Sequence, residues 1–159
     1  MKAATVSELR KELSQRPEKE MIDICMRLAR YKKDNKELLT YLLFESGDEQ
    51  TFLSNAVHEV REEFAIINYS SVYLAKKTIR RILRLVRKYI TYSDSKETAL
   101  ELIICFCEEL KKTKLIRVEN KVLVNMYIKQ VEAANKLRLS LHEDLQFDYE
   151  DRIRQLDLH

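Results

Sequence analysis

Residues that break or turn a chain are almost absent from this sequence of 159 residues. It holds one glycine, Gly47, and one proline, Pro17. A β-protein of this length needs many tight turns, which depend on Gly, Asn and Asp at positions with unusual backbone angles. Because helices need only short polar connections, the scarcity predicts an all-α fold. The length suits a single domain with a buried core over residues 1–159, in which residues 143–159 form an acidic C-terminal extension.

Polar capping residues mark the predicted helix starts. Thr5 followed by Glu8 is a capping box, Pro17 suits a first helical turn, and Ser70 or Ser71 can open a later helix. Apolar residues recur at three- and four-residue spacing between these caps. The predicted helices lie near 5–15, 17–33, 35–46, 49–68, 71–91, 95–112, 120–142 and 148–156.

Two of these helices, 35–46 and 95–112, are apolar nearly all round. A helix of that kind has to be covered on more than one side, so both are predicted to be central. Gly47 is predicted to end the first of them in the left-handed conformation.

Short connections group the helices into three antiparallel hairpins, over residues 17–46, 49–91 and 95–142. The last two have the length of HEAT or armadillo units. At the level of helix pairing, the chain therefore resembles a short, right-handed HEAT- or armadillo-type α-α superhelix. An irregular bundle of about seven helices is the alternative.

A second resemblance lies in residues 28–45, which read LARYKKDNKELLTYLLFE. This segment resembles that of a family of small, uncharacterised, all-helical bacterial proteins without an established activity. The resemblance implies a bacterial, cytoplasmic origin and implies no chemistry.

No catalytic, cofactor or metal motif is recognisable in the sequence. The absence of a glycine-rich loop excludes a P-loop and a dinucleotide-binding turn. No histidine follows a glutamate by three positions, as a di-iron bundle requires. His58 with Glu59, Glu62 and Glu63 could supply metal ligands, but a solvated helix face is the simpler interpretation. We therefore predict no catalytic residue, no metal and no cofactor.

The apolar segments and cysteines indicate an intracellular protein. The longest apolar run, residues 102–106, is far shorter than the roughly 20 residues that span a bilayer, and the N-terminus does not resemble a signal peptide. Cys25, Cys105 and Cys107 all have apolar neighbours and are predicted to be buried free thiols in a reducing cytosol.

The excess positive charge of the chain is concentrated on one predicted helix. Residues 70–93 hold seven basic side chains and no acid, whereas residues 1–69 and 94–159 each hold 11 basic and 13 acidic side chains. At about 100° per residue, all seven bases fall within an arc of about 140°. One tyrosine of the helix lies in the same arc. The candidate binding residues are Tyr73, Lys76, Lys77, Arg80, Arg81, Arg84, Arg87 and Lys88.

Three interpretations of this stripe remain open. Glu59, Glu62 and Glu63 of the preceding helix could pair with it; it could bind nucleic acid or another polyanion; or it could dock on an acidic protein or an anionic membrane surface. The acidic C-terminal segment, residues 143–157, could also compete for the stripe within the chain, or could itself be where a partner binds.

The leading hypothesis is a non-enzymatic interaction or scaffold module, with a protein partner expected and nucleic acid possible through helix 71–91. The alternative is an enzyme or small-ligand-binding bundle with a site built across helices. The sequence leaves the oligomeric state open.

Overall fold

The computed structural model describes residues 1–158. This part of the chain contains eight α-helices and no strand, which confirms the all-α prediction. A π-helical turn, Tyr41–Glu45, follows the third helix, and a short 3-10 helix, Val118–Asn120, precedes the seventh. The α-helices are α1 (Val6–Leu13), α2 (Glu18–Tyr31), α3 (Lys33–Thr40), α4 (Glu49–Ala65), α5 (Val72–Tyr92), α6 (Lys96–Lys112), α7 (Lys121–Arg138) and α8 (Glu143–Arg154).

Local capping explains where several helices begin. Thr5 and Glu8 form the predicted capping box, with the Thr5 backbone N donating to the Glu8 carboxylate at 2.7 Å. Ser71 and Ser95 cap α5 and α6 by accepting from backbone N–H groups three residues later. Each cap satisfies a donor that a helix start leaves without an intrahelical partner.

The prediction for Gly47 is wrong. No glycine in residues 1–158 has a positive φ, and the only residue there that does is Lys114, with φ 57°. The chain leaves α3 through the π-helical turn, so a left-handed glycine is not what ends this helical segment.

The chain falls into two compact units, Met1–Phe44 and a second that begins at Glu45. In the first, α2 packs on α3 as the 17–46 hairpin predicted, and only Ala29 and Tyr41 are buried. The single-domain organisation stays a prediction.

The prediction that helix 35–46 is central is wrong. Leu42, Leu43 and Phe44 are all exposed, Phe44 by 80%. The π-helical turn widens the backbone at Tyr41–Glu45, so side chains there no longer follow the spacing of an α-helix. A unit of 44 residues also has little chain with which to cover an apolar helix on all sides.

The prediction that helix 95–112 is central is confirmed by α6. Leu100, Leu102, Ile104 and Phe106 are inaccessible to solvent, and α4, α5 and α7 all pack against this helix. The pairs α4–α5 and α6–α7 match the predicted hairpins 49–91 and 95–142. Whether these pairs form a right-handed superhelix or a closed bundle stays a prediction.

The C-terminal segment contributes to the same core. Tyr149, Ile153 and Leu156 are buried, and the hydroxyl of Tyr127 in α7 donates to the Leu156 carbonyl at 2.5 Å. The Lys111 ammonium of α6 donates to two further carbonyls of this segment. The end of the chain is therefore fastened by side chains of α6 and α7. None of the helices described is long and apolar enough to cross a membrane.

Candidate polyanion-binding face

Helix α5 is held in place by its apolar side. Ala75, Ile79, Ile82 and Val86 are inaccessible to solvent, and this side of the helix packs on α4 and α6. The opposite side, which we call the basic face, consists of the eight residues Tyr73, Lys76, Lys77, Arg80, Arg81, Arg84, Arg87 and Lys88. Because the core fixes the rotation of α5, the basic face points outward.

The structure places all eight predicted residues on one continuous helix. Lys76 and Lys88 are partly buried, and the other six are exposed. Tyr73 is 73% exposed, so its ring is accessible beside the basic side chains. The basic face is therefore accessible along most of its length.

Acidic neighbours in α4 cover only one edge of the basic face. Arg81 pairs with Glu63 at 2.5 Å, and the carboxylate of Glu59 accepts a hydrogen bond from Tyr89. Lys88 lies with its Nζ 5.8 Å from the centroid of the Tyr89 ring and has further contacts. Internal pairing thus accounts for a minority of the positive charge.

The remaining five bases form no ion pair with any residue among 1–158. At about 100° per residue they span an arc of about 100°, and the stripe is about 17 Å long at 1.5 Å per residue. Tyr73 falls inside this arc. We call these five the open bases: Lys76, Lys77, Arg80, Arg84 and Arg87.

The charge pattern works against the stability of α5. Four pairs of bases in the basic face stand four residues apart, and each such like-charged pair destabilises a helix by about 0.2–0.5 kcal/mol. Together they cost roughly 1–2 kcal/mol. Residues that lower stability without serving the core are typical of functional surfaces.

Replacing Arg84 with glutamine is therefore expected to stabilise the protein. Arg84 is exposed and stands four residues from both Arg80 and Lys88, whereas glutamine has a similar helix propensity and no charge. The expected gain is about 0.4–1 kcal/mol, or a rise of about 1–4 °C in Tm, in a low-salt thermal melt.

The matched control is Arg81→Gln, which removes the same charge but also the ion pair with Glu63. This variant should gain no stability. A lower Tm for Arg84→Gln than for the wild type would show that repulsion along α5 is not significant.

Among residues 143–158, no acidic side chain forms an ion pair with the basic face. A basic side chain of this segment reaches α6: Arg152 of α8 pairs with Glu101 at 2.8 Å and with Glu108 at 3.3 Å. These two ion pairs and the burial of Ile153 hold α8 on the core. Competition of this segment for the basic face stays a prediction.

Sequence reasoning missed this polar network. Tyr149 lies beside Arg152 and donates to Glu97 at 3.1 Å, and its burial together with the nearby Glu101 and Glu97 carboxylates raises its pKa. The partners are separated by 44 to 52 residues. Charges so far apart along the chain carry no local signal that they will meet.

A groove of about 840 Å³ lies between α4, α6 and α8. His58, Arg61, Glu101 and Tyr149 line it. His58 is exposed, and no hydroxyl or thiol in residues 1–158 donates a hydrogen bond to it. Ser54 also lines the groove, and in the described residues it is not hydrogen-bonded to His58 as an activated nucleophile would be.

The carboxylates near His58 are engaged elsewhere. Glu63 faces Arg81 of α5 and Glu59 accepts from Tyr89, so these two carboxylates bind α5 rather than converge on His58. Across the part of the chain that the structure describes, no group of three His, Cys, Asp or Glu side chains could hold a metal ion.

The three cysteines differ in accessibility. The prediction of a buried thiol is wrong for Cys25, which is exposed on α2, and confirmed for Cys105 and Cys107 in α6. Cys25 lies in the small N-terminal unit, where few residues are available to cover it. Burial raises the pKa of Cys105 to about 11 and that of Cys107 to about 12.

One thiol of three is therefore expected to react with a thiol-specific reagent at pH 8 in the folded protein. Cys25 is accessible, while burial keeps Cys105 and Cys107 both protonated and covered. Mass spectrometry should show single labelling before denaturation and triple labelling after it. Rapid labelling of all three thiols in native buffer would contradict the packing of α6.

Comparisons with protein-family models, curated proteins and solved structures give no match to this chain. A function for the chain therefore has to be inferred from the geometry of the basic face.

Proposed function

We propose that this chain is a non-enzymatic interaction module that binds polyanions through the basic face of α5. The observation that carries the proposal is the set of five open bases, which line one outward side of a helix without acidic partners among the residues described. A linear anion lying along this side could contact several of them at once, and release of its counterions would supply most of the binding free energy.

Charge distribution supports the same proposal. The net charge of the chain is +3, yet residues 70–93 carry seven bases and no acid between two slightly acidic flanks. A chain that needed positive charge only for solubility would not have to collect it on one helix. Local concentration of one sign attracts oppositely charged partners and speeds their association.

Salt-dependent binding tests the proposal. Fluorescence anisotropy would follow labelled heparin and a labelled mixed-sequence oligonucleotide with increasing salt, for the wild type and for the variant Arg80→Gln, Arg84→Gln, Arg87→Gln. The wild type should bind both polyanions with a steep loss of affinity as salt rises, and the variant should bind more weakly. If neither polyanion shows salt-sensitive binding to the wild type, the proposal fails.

The cellular location and the architecture that we propose follow from the sequence resemblances. The likeness of residues 28–45 to small bacterial proteins favours a bacterial, cytoplasmic protein, and the helical pairs 49–91 and 95–142 favour a HEAT-like superhelix that serves as a scaffold. An acidic protein surface is the other partner that such a face could accept.

A further inference from the structure

The basic face includes an aromatic side chain with no structural task. Tyr73 is 73% exposed, and its hydroxyl forms no hydrogen bond with any residue in the described chain. It lies within the arc of the open bases, one turn before Lys76 and Lys77. A second exposed tyrosine, Tyr69, stands in the turn that leads into α5 and is 53% exposed.

Exposed aromatic rings among basic side chains suit the binding of single-stranded nucleic acids. Unpaired nucleobases present flat faces that stack on aromatic side chains, while lysine and arginine contact the phosphates. Each stacked base contributes about 1–3 kcal/mol, largely irrespective of sequence. In a duplex the nucleobases are already stacked on one another, so a nucleobase has to leave its stack before it can stack on a tyrosine ring.

We infer that the polyanion bound by this face is single-stranded nucleic acid, with Tyr73 as the stacking platform and the open bases as phosphate contacts. This inference rests on the proposed function and adds the class of ligand. An acidic protein surface would also satisfy the bases, but carboxylates offer no flat ring for Tyr73. The tyrosine is thus the feature that separates the two ligand classes.

Anisotropy titrations at low salt, about 50 mM, test the inference. The ligands are a mixed-sequence single-stranded 20-mer, the duplex of the same sequence, heparin and polyglutamate. The wild type should bind the single strand more tightly than the duplex. Because the duplex has the higher charge density, charge alone would give the opposite order.

Substitution of the tyrosine provides the second measurement. Tyr73→Ala should weaken binding of the single strand by about 5- to 150-fold and weaken heparin binding far less, because heparin has no flat ring to stack on the tyrosine. Tyr73→Phe should retain tight binding of the single strand. The matched control is Tyr31→Ala, since Tyr31 is 76% exposed and also lies beside a lysine, Lys32, but is not on α5. Circular dichroism would verify that each variant is folded.

The outcomes separate the two proposals. If heparin binds in a salt-sensitive manner but the duplex binds at least as tightly as the single strand, or Tyr73→Ala has no effect, the inference is overturned and the proposed function stands. Tightest binding to polyglutamate would also overturn it, in favour of an acidic protein. If no polyanion binds, the proposed function and the inference both fail.

Discussion

Replacing Phe106 with alanine is expected to lower the free energy of unfolding by about 3–5 kcal/mol. Phe106 is inaccessible to solvent on α6, and its ring lies 5.6 Å, centroid to centroid, from that of Phe64 on α4. The substitution removes a large buried apolar surface and leaves a cavity that helices packed on several sides cannot close. Urea denaturation followed by circular dichroism measures the resulting decrease in stability.

A matched control tests whether burial is the cause. Phe147→Ala makes the same chemical change on α8, where the ring is 77% exposed. It should change the stability by no more than about 0.5 kcal/mol, as is usual for surface substitutions. Equal destabilisation by the two substitutions would contradict the central position of α6.

Replacing Arg80, Arg84 and Arg87 with glutamine is expected to weaken binding of a single-stranded oligonucleotide by about fiftyfold near 0.15 M salt. For single strands, the association constant varies with salt concentration to the power of about −0.7 for each phosphate that the protein neutralises. Three lost contacts remove a power of about 2.1, and this corresponds to about fiftyfold at 0.15 M salt if the electrostatic contribution vanishes near about 1 M salt. All three arginines are exposed and without ion pairs in the described chain, so their removal breaks no internal ion pair. Anisotropy at constant salt measures the effect.

The control for this variant removes the same charge elsewhere. Lys121, Lys129 and Lys136 are exposed on α7 and form no ion pair with residues 1–158. Changing these three to glutamine also lowers the formal net charge from +3 to zero. A similar decrease in affinity for the control would mean that net charge, rather than the basic face, governs binding.

Local signals in the sequence were sufficient to locate most of the helices, although the last one was predicted near 148–156 and α8 begins earlier, at Glu143. The capping box of Thr5 and Glu8 and the caps at Ser71 and Ser95 act over three residues, so they can be recognised without knowledge of the fold. The apolar run around Phe106 likewise predicted a helix covered on several sides, and α6 confirms it.

The expectation that an apolar helix is covered on several sides failed at Leu42, Leu43 and Phe44. Apolar residues alone do not reveal how much chain is available to cover them. The π-helical turn Tyr41–Glu45 is a local departure that a spacing of about 3.6 residues does not anticipate. For Cys25 too, apolar neighbours along the sequence were mistaken for burial.

For the candidate site, too, local features could be predicted from the sequence, whereas contacts between helices could not. Every base of the basic face could be located from the sequence, because the residues are close along one helix. Which bases acquire partners could not be determined, since the Arg81–Glu63 ion pair depends on how α4 packs against α5. The Arg152 network was undetectable for the same reason, as its partners meet only in the folded chain.

The salt dependence of binding to a single-stranded oligonucleotide tests the central claim most directly. If the five open bases each contact a phosphate, a plot of the logarithm of the association constant against the logarithm of the salt concentration should have a slope of about −3.5. The affinity should then drop roughly a hundredfold between about 50 and 200 mM salt. The glutamine variant of Arg80, Arg84 and Arg87 should show a slope of about −1.4. A wild-type slope near zero, or identical slopes for the two proteins, would contradict binding through the basic face of α5.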